Sequence, residues 1–398
     1  MNSEEREREI CVAMKTTTRS KTKSGGRSAI DDALLFNSFV SSSSSSSSSE
    51  VSVDDDDEDD DENAVALYAY RYHHHHRAKT PSSSKEEEES PCWRLEEKYT
   101  RLELKLAVLF TSQNIAWSLE KHFGARKKTR RCAVFLDASS AVFVTAILAL
   151  MLLRVEFVCI EPPPKPHQKN NDDRDRKGRE KVFRRFVREV AGCGFAVARA
   201  SDGTYLEEIL RRDEEEEEEE ESFLVLTDIS PALRAPLDEA RMMSSSKGCQ
   251  VGARDAFARK AMEDLNSLLR SSSSNNNSND NAYVCFTSGT TGQRKGVKTT
   301  RENIDAYAKA KVKNEKLDSS SIVALVSAHV FDPCVGDIAS AVVDKSAIAT
   351  FSPRDELVRE GSRALRDALV ASRATCFQSF YSGAFFFLCF NIIITTLF

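Results

Sequence analysis

Residues 282–300, AYVCFTSGTTGQRKGVKTT, place three glycines, a run of hydroxyls and Lys295 directly behind a short apolar run. Gly289, Gly292 and Gly296 let the backbone take positive φ and come close to a ligand. Successive main-chain N–H groups in such a turn can point inward as an anion nest. Thr287, Ser288, Thr290 and Thr291 add hydroxyl donors, and Lys295 adds a fixed positive charge. This combination suits a polyphosphate. It is not a P-loop of the GxxxxGK type, because the position five residues after Gly289 is Arg294. A plain surface turn is the competing reading, but such turns seldom follow a buried strand with this order of glycines, hydroxyls and lysine.

The elements that must hold this loop follow from apolar patterning. AYVCF reads as a strand entering it, and Thr299 with Glu302 has capping-box spacing, which predicts a helix over TTRENIDAYAKAKV with Ile304, Ala308 and Val312 on one stripe. Upstream, Ile115, Leu119 and Phe123 have helical spacing, and folded sequence is expected to begin near Leu102. RRCAVFLDAS, SAVFVTAILALMLL and VEFVCIEPPP read as strand, buried helix and strand, the βαβ unit of a parallel sheet. KVFRRFVREVAGCG predicts a helix with a glycine stop, and GFAVARA and SFLVLTDIS predict strands. ARDAFARKAMEDLNSLL predicts an amphipathic helix. Beyond the loop, SIVALVSA and SAIATFS predict strands, and VGDIASAVVD a short helix between them. RDELVREGSRALRDALVASR predicts one helix and ATCFQS a last strand. The alternation predicts an α/β fold.

Composition sets the bounds. The chain has 398 residues, yet Ser41–Ser49, the acidic run Asp54–Glu62, His73–His76 and KEEEE crowd its start. Such tracts bury too little apolar surface to offset ordering entropy, so residues 1–100 are expected to be disordered. Asp213–Glu221 and Ser271–Asp280 read as low-complexity inserts within the folded part, which is expected to span 101–379. The two acidic runs hold 18 of the 62 acidic residues, so the net charge of −6 conceals a remainder of 44 acidic to 56 basic. The basic excess is scattered and shows no nucleic-acid footprint. None of the ten cysteines forms a CxxC pair, so no zinc site or disulfide framework is expected, and no metal ligands are identifiable. Buried thiols fit a reducing compartment, the cytoplasm. A start at Met14 would instead give a basic, hydroxyl-rich segment of organelle-targeting type.

The loop TSGTTGQRKGV resembles the phosphate-loop signature of the adenylate-forming (AMP-binding) superfamily, which includes acyl-CoA synthetases, nonribosomal peptide adenylation domains and luciferases. Arg294 stands where that family usually has proline, and Arg301 replaces a common histidine. CAVFLDASSAVFVTAILALMLLRVEFVCIEPPPKP resembles the family's early strand–helix–strand block, with Arg154 and Glu156 in its usual small-residue turn. AHVFDPCVGDI resembles a later block with an aromatic–aspartate pair at the acyl pocket, matched by Phe331 and Asp332. The FDP form and SRATCFQS are most like the β-alanine-activating, acyl-CoA-synthetase-like branch. The resemblance spans roughly residues 107–379 and implies the N-terminal large domain of such an enzyme, with layered sheets and packed helices.

What it implies chemically is a two-step reaction on a carboxylic acid, an amino acid or similar amine-bearing acid. ATP with Mg²⁺ would give an acyl-adenylate and pyrophosphate, and CoA or a carrier-bound phosphopantetheine would then take the acyl group. Thr287, Ser288, Gly289, Thr290, Thr291, Gly292 and Lys295 would hold the phosphates by electrostatic preorganisation. Asp332 would pair with a substrate ammonium; from spacing alone it could equally cap a helix starting near Val335. A carrier protein is a possible partner. Nothing after Ser379 resembles the family's ribose-binding aspartate, hinge or lysine-bearing lid, so no catalytic residue is identifiable. The expectation is a truncated, inactive chain whose apolar tail, 380–398, is of foreign origin. The alternative is a non-catalytic nucleotide-binding or interaction module anchored in a membrane by that tail.

Overall fold

A computed structural model describes residues 63–73, 93–124, 131–165, 173–211, 223–245, 260, 263, 281–287, 294–359 and 361–378. The inserts 213–221 and 271–280, nearly all of the expected helix after 252, and the tail 380–398 lie outside the described residues. Eleven strands are described: β1 (Val65–Tyr72), β2 (Trp93–Thr100), β3 (Arg131–Phe135), β4 (Phe157–Cys159), β5 (Cys193–Ala198), β6 (Leu224–Thr227), β7 (Asn281–Thr287), β8 (Lys295–Thr300), β9 (Ile322–Ala324), β10 (Ala347–Ser352) and β11 (Cys376–Phe377). The helices among the described residues are α1 (Arg101–Phe123), α2 (Ala141–Leu152), α3 (Asp173–Arg185), α4 (Ala200–Leu210), α5 (Ala235–Ser245), α6 (Arg301–Glu315), α7 (Asp332–Val343), α8 (Asp355–Arg359) and α9 (Gly361–Ser372).

The strands form two mixed sheets, in the orders β11-β9-β10-β1-β2 and β6-β5-β3-β4-β7-β8. Each is parallel except for one edge strand, β2 beside β1 and β8 beside β7. The βαβ unit stands as expected, with β3 and β4 parallel and every residue of α2 between them buried. Ser140 starts α2 by accepting a hydrogen bond from the Phe143 N–H.

Folded sequence begins ahead of Leu102, which corrects the expected start and part of the region 1–100. β1 pairs in parallel with β10, Leu67 opposite Ile348, and β2 joins it antiparallel. Trp93 fixes β2 by donating from Nε1 to the Ala364 carbonyl at 3.0 Å and by packing edge-on against Phe351. Low-complexity sequence on both sides hides these two strands from compositional reading. The capping box sits at Thr100 and Glu103, opening α1. At α6 the cap is Thr300, which accepts from the Asn303 N–H, and Thr299 belongs to β8. The helix expected over 354–373 is two, α8 and α9, and Gly361 takes a φ of 60° where the second begins. The glycine stop after α3 is Gly192, with a φ of 67°, reached through one π-helical turn over Phe186–Val190.

One core serves both sheets. Leu67, Val323 and Ile348 of the first sheet share a cluster with Cys132, Phe157 and Phe195 of the second, bridged by Leu106 and Leu109 of α1 and Phe143 of α2. The parallel strands of the second sheet present their carboxyl ends to one side, where open α/β sheets bind ligands.

Candidate functional site

The loop residues are delivered by the β7–β8 hairpin. Thr287 and Lys295 face each other in register at its mouth, and the Thr287 hydroxyl donates to the Lys295 carbonyl at 3.4 Å. Ser288, Gly289, Thr290, Thr291 and Gly292 lie outside the described residues. Gly296 is a strand residue and does not have positive φ; a Cβ there would meet Val284 and Phe286 at 3.1–3.3 Å. Its requirement is therefore close packing, not the left-handed turn expected of it. Arg294 lays its guanidinium over the Phe186 ring at 4.9 Å, and that ring meets Phe286 edge-on at 4.9 Å. The residue that replaces the family's proline thus ties the hairpin to the π-helical turn. Arg301, the other departure, is buried and donates to the Met151 carbonyl. In the early block Arg154 takes a φ of 56°, and Glu156 accepts two hydrogen bonds from Arg131, at 2.8 and 2.9 Å.

Alternation along β7 sorts its side chains. Tyr283, Cys285 and Thr287 share one face, and Val284 and Phe286 the other. The first face meets the loop before α7. The Tyr283 hydroxyl donates to Asp332 Oδ1 at 2.7 Å, and the Cys285 thiol lies 3.5 Å from the Val330 carbonyl as its donor. α7 begins at Asp332, three residues ahead of the expected start, and its N-cap is Phe331, which makes no side-chain cap bond. Asp332 is therefore not the cap. It stands in the first helical turn, exposed, where a carboxylate is favoured by the N-terminal dipole. Phe331 is half exposed beside it.

Two further groups were not singled out from sequence. Lys311 of α6 and Asp337 of α7 form a buried ion pair, and Lys311 and the Tyr307 hydroxyl each donate to Gln378 Oε1 at 3.1 Å. Burial pushes the Asp337 carboxyl up to about 6 against the pull of Lys311; burial lowers the Lys311 ammonium, but the Asp337 carboxylate outweighs this and raises it. Gly336 lies so close under the Tyr307 ring that no Cβ fits there. The second group gathers at strand ends. His329 is buried with Nε2 3.4 Å from the Ile160 carbonyl and its ring edge-on to Phe143, and burial pushes its pKa down to about 4. Asp137 follows β3; burial raises its carboxyl although Arg354 and Arg199 pull the other way. Asp137, Arg199 and Arg354 are early polar residues after parallel strands, which is the signal by which sequence could have found them.

Among the described residues no group of His, Cys, Asp or Glu is placed to hold a metal ion, and no helix is long and apolar enough to cross a membrane. Among the described residues the hairpin presents a lysine opposite a threonine at the carboxyl end of a parallel strand.

No curated protein matches this chain. Among solved structures, the fatty acyl-adenylate ligase from L. pneumophila in complex with acyl adenylate and pyrophosphate is 14% identical, with a TM-score of 0.49 over 89% of this chain and 44% of its own. ATP-bound MatB from Rhodopseudomonas palustris is 15% identical, with a TM-score of 0.45 over 84% and 48%. The Vibrio cholerae adenylation domain AlmE, in complex with glycyl-adenosine-5'-phosphate, is 13% identical, with a TM-score of 0.46 over 88% and 48%. The chain spans less than half the length of each of these structures. The sequence profile described as AMP-binding enzyme matches residues 107–383, well over half of the chain, and includes the hairpin, Phe331 and Asp332: the chain belongs to the AMP-binding enzyme family.

Proposed function

We propose that this chain supplies the phosphate-binding turn and acid pocket of an enzyme that activates a carboxylic acid with ATP. A carboxylate oxygen would attack the α-phosphorus, the bond to the β-phosphate would break, and pyrophosphate would leave. The sulfur of CoA or of a carrier-bound phosphopantetheine would then attack the acyl carbon, and AMP would leave. The observation that carries this reading, beside family membership, is Lys295 held opposite Thr287 as the last pair of the hairpin before its connecting segment. Residues 287–292 and Lys295 would spread the charge that builds on the departing pyrophosphate, with Mg²⁺ arriving on the nucleotide. The acid would be amine-bearing, of the β-alanine or α-amino type, because an exposed carboxylate, Asp332, stands on the β7 side of the site as a partner for an ammonium.

The test is ATP affinity. Lys295→Ala removes a charge-assisted contact worth about 1.5–3 kcal/mol, so ATP binding should weaken by about tenfold or more. Lys298→Ala, exposed three residues further along β8, should bind as the native chain does. Equal losses in both variants, or none in either, would sink the assignment.

A further inference from the structure

We propose that Tyr283 is a positioning residue for acid recognition: its hydroxyl holds Asp332 Oδ1 and so leaves Oδ2 as the acceptor for the substrate's ammonium. The inference rests on the reading of Asp332 as the amine-binding group. Asp332 is exposed and, as the first residue of α7, has little around its side chain to select one rotamer. Tyr283 is fixed on every side. It is 7% exposed, it lies in a strand paired on both edges, and its ring stacks on Phe157 at 5.7 Å and 23°. Burial and the Asp332 carboxylate both push its hydroxyl's pKa up, so it stays a protonated donor throughout the working pH range. A locked ring that donates at 2.7 Å orders a carboxylate without the entropy loss of immobilising a second flexible side chain.

The backbone in front of Asp332 is held from the same strand face. Cys285, two residues along β7, donates to the Val330 carbonyl at 3.5 Å. Thr287, two further, pairs with Lys295 of β8. One face of one strand therefore reaches both Asp332 and the Thr287–Lys295 pair assigned to the nucleotide. It fixes their separation at about 13 Å along the strand, four residues at roughly 3.3 Å each. This registry would present the acid's carboxylate to the nucleotide while its amine is held.

The experiment measures equilibrium binding to the full chain, with ATP present, of glycine, β-alanine and larger α-amino acids, each beside its des-amino acid. The native chain is expected to prefer at least one amine-bearing acid. Asp332→Asn should abolish that preference. Tyr283→Phe keeps the ring stack and should weaken binding of the amine-bearing acid by about tenfold, while affinities for the des-amino acid and for ATP stay unchanged. A structural role alone would shift all three together, and that result overturns the inference. If Asp332→Asn abolishes the preference and Tyr283→Phe keeps it, only the role of Tyr283 falls. If the native chain shows no preference, or Asp332→Asn keeps it, the amine reading fails and this inference with it.

Discussion

At Asp332 one contact removes the capping role that its spacing allowed. A cap would turn its oxygen back onto the N–H groups of α7; the carboxylate instead accepts from Tyr283 on another element. His329 carries the clearest pH consequence. Its folded pKa of about 4 lies below the ordinary 6.5 because burial disfavours the imidazolium. A depressed pKa gives stability that is fully present above 6.5 and is lost as pH falls through 4. That window corresponds to about 3 kcal/mol. Asp337 has the opposite sign: lifted to about 6, its contribution is present below the usual 3.8 and fades as pH rises through 6. The difference between native chain and His329→Gln isolates the histidine. In urea titrations, that difference should shrink by about 3 kcal/mol between pH 6.5 and pH 4. A difference that stays constant with pH would assign the acid loss to other groups.

At the scale of elements, local signals succeeded where the cap or stop lies within the element. Ser140 and the buried run after it fix α2, and Gly192 ends the helical stretch over 173–190. α4 was missed because its start is secured from outside. Asp228, beyond β6, accepts from the Ala200 N–H at 2.7 Å, and Gly203 is required because a Cβ would meet Thr227 at 2.5 Å. β8 was missed because KGVKTT has no apolar alternation; it is an exposed edge strand held by its hydrogen bonds to β7. α6 ends with Lys316 in the left-handed conformation, φ 54°, on an exposed position. Only glycine adopts that geometry freely, so Lys316→Gly should stabilise the fold by about 0.5–1 kcal/mol despite the added freedom of the unfolded chain. A lower urea midpoint for the variant would contradict this.

Across the whole molecule, the shared core predicts that both sheets unfold together. Leu106 of α1 is fully buried in the cluster that contains residues of each sheet. Leu106→Ala should cost about 2–5 kcal/mol. With the exposed Trp117 of α1 replaced by phenylalanine, so that Trp93 of β2 is the sole tryptophan, its fluorescence should change at the same denaturant concentration as far-UV circular dichroism, with and without Leu106→Ala. Separate transitions would show that α1 does not couple the sheets.

By itself the sequence determined the α/β alternation, the buried βαβ unit and the glycine- and hydroxyl-rich character of residues 287–296, because apolar period, glycine placement and hydroxyl content are local properties. It also carried the family signature that the profile match bears out. Tertiary structure alone decided which distant segments meet. β1 lies against β10 nearly the whole folded length away, and Tyr283 reaches Asp332 across 49 residues. Lys311 finds Asp337 between two helices, although neither is marked by its neighbours in sequence. The physical reason is common to all three. Pairing of strands and satisfaction of buried polar groups depend on which surfaces close over one core, and no local pattern encodes that closure.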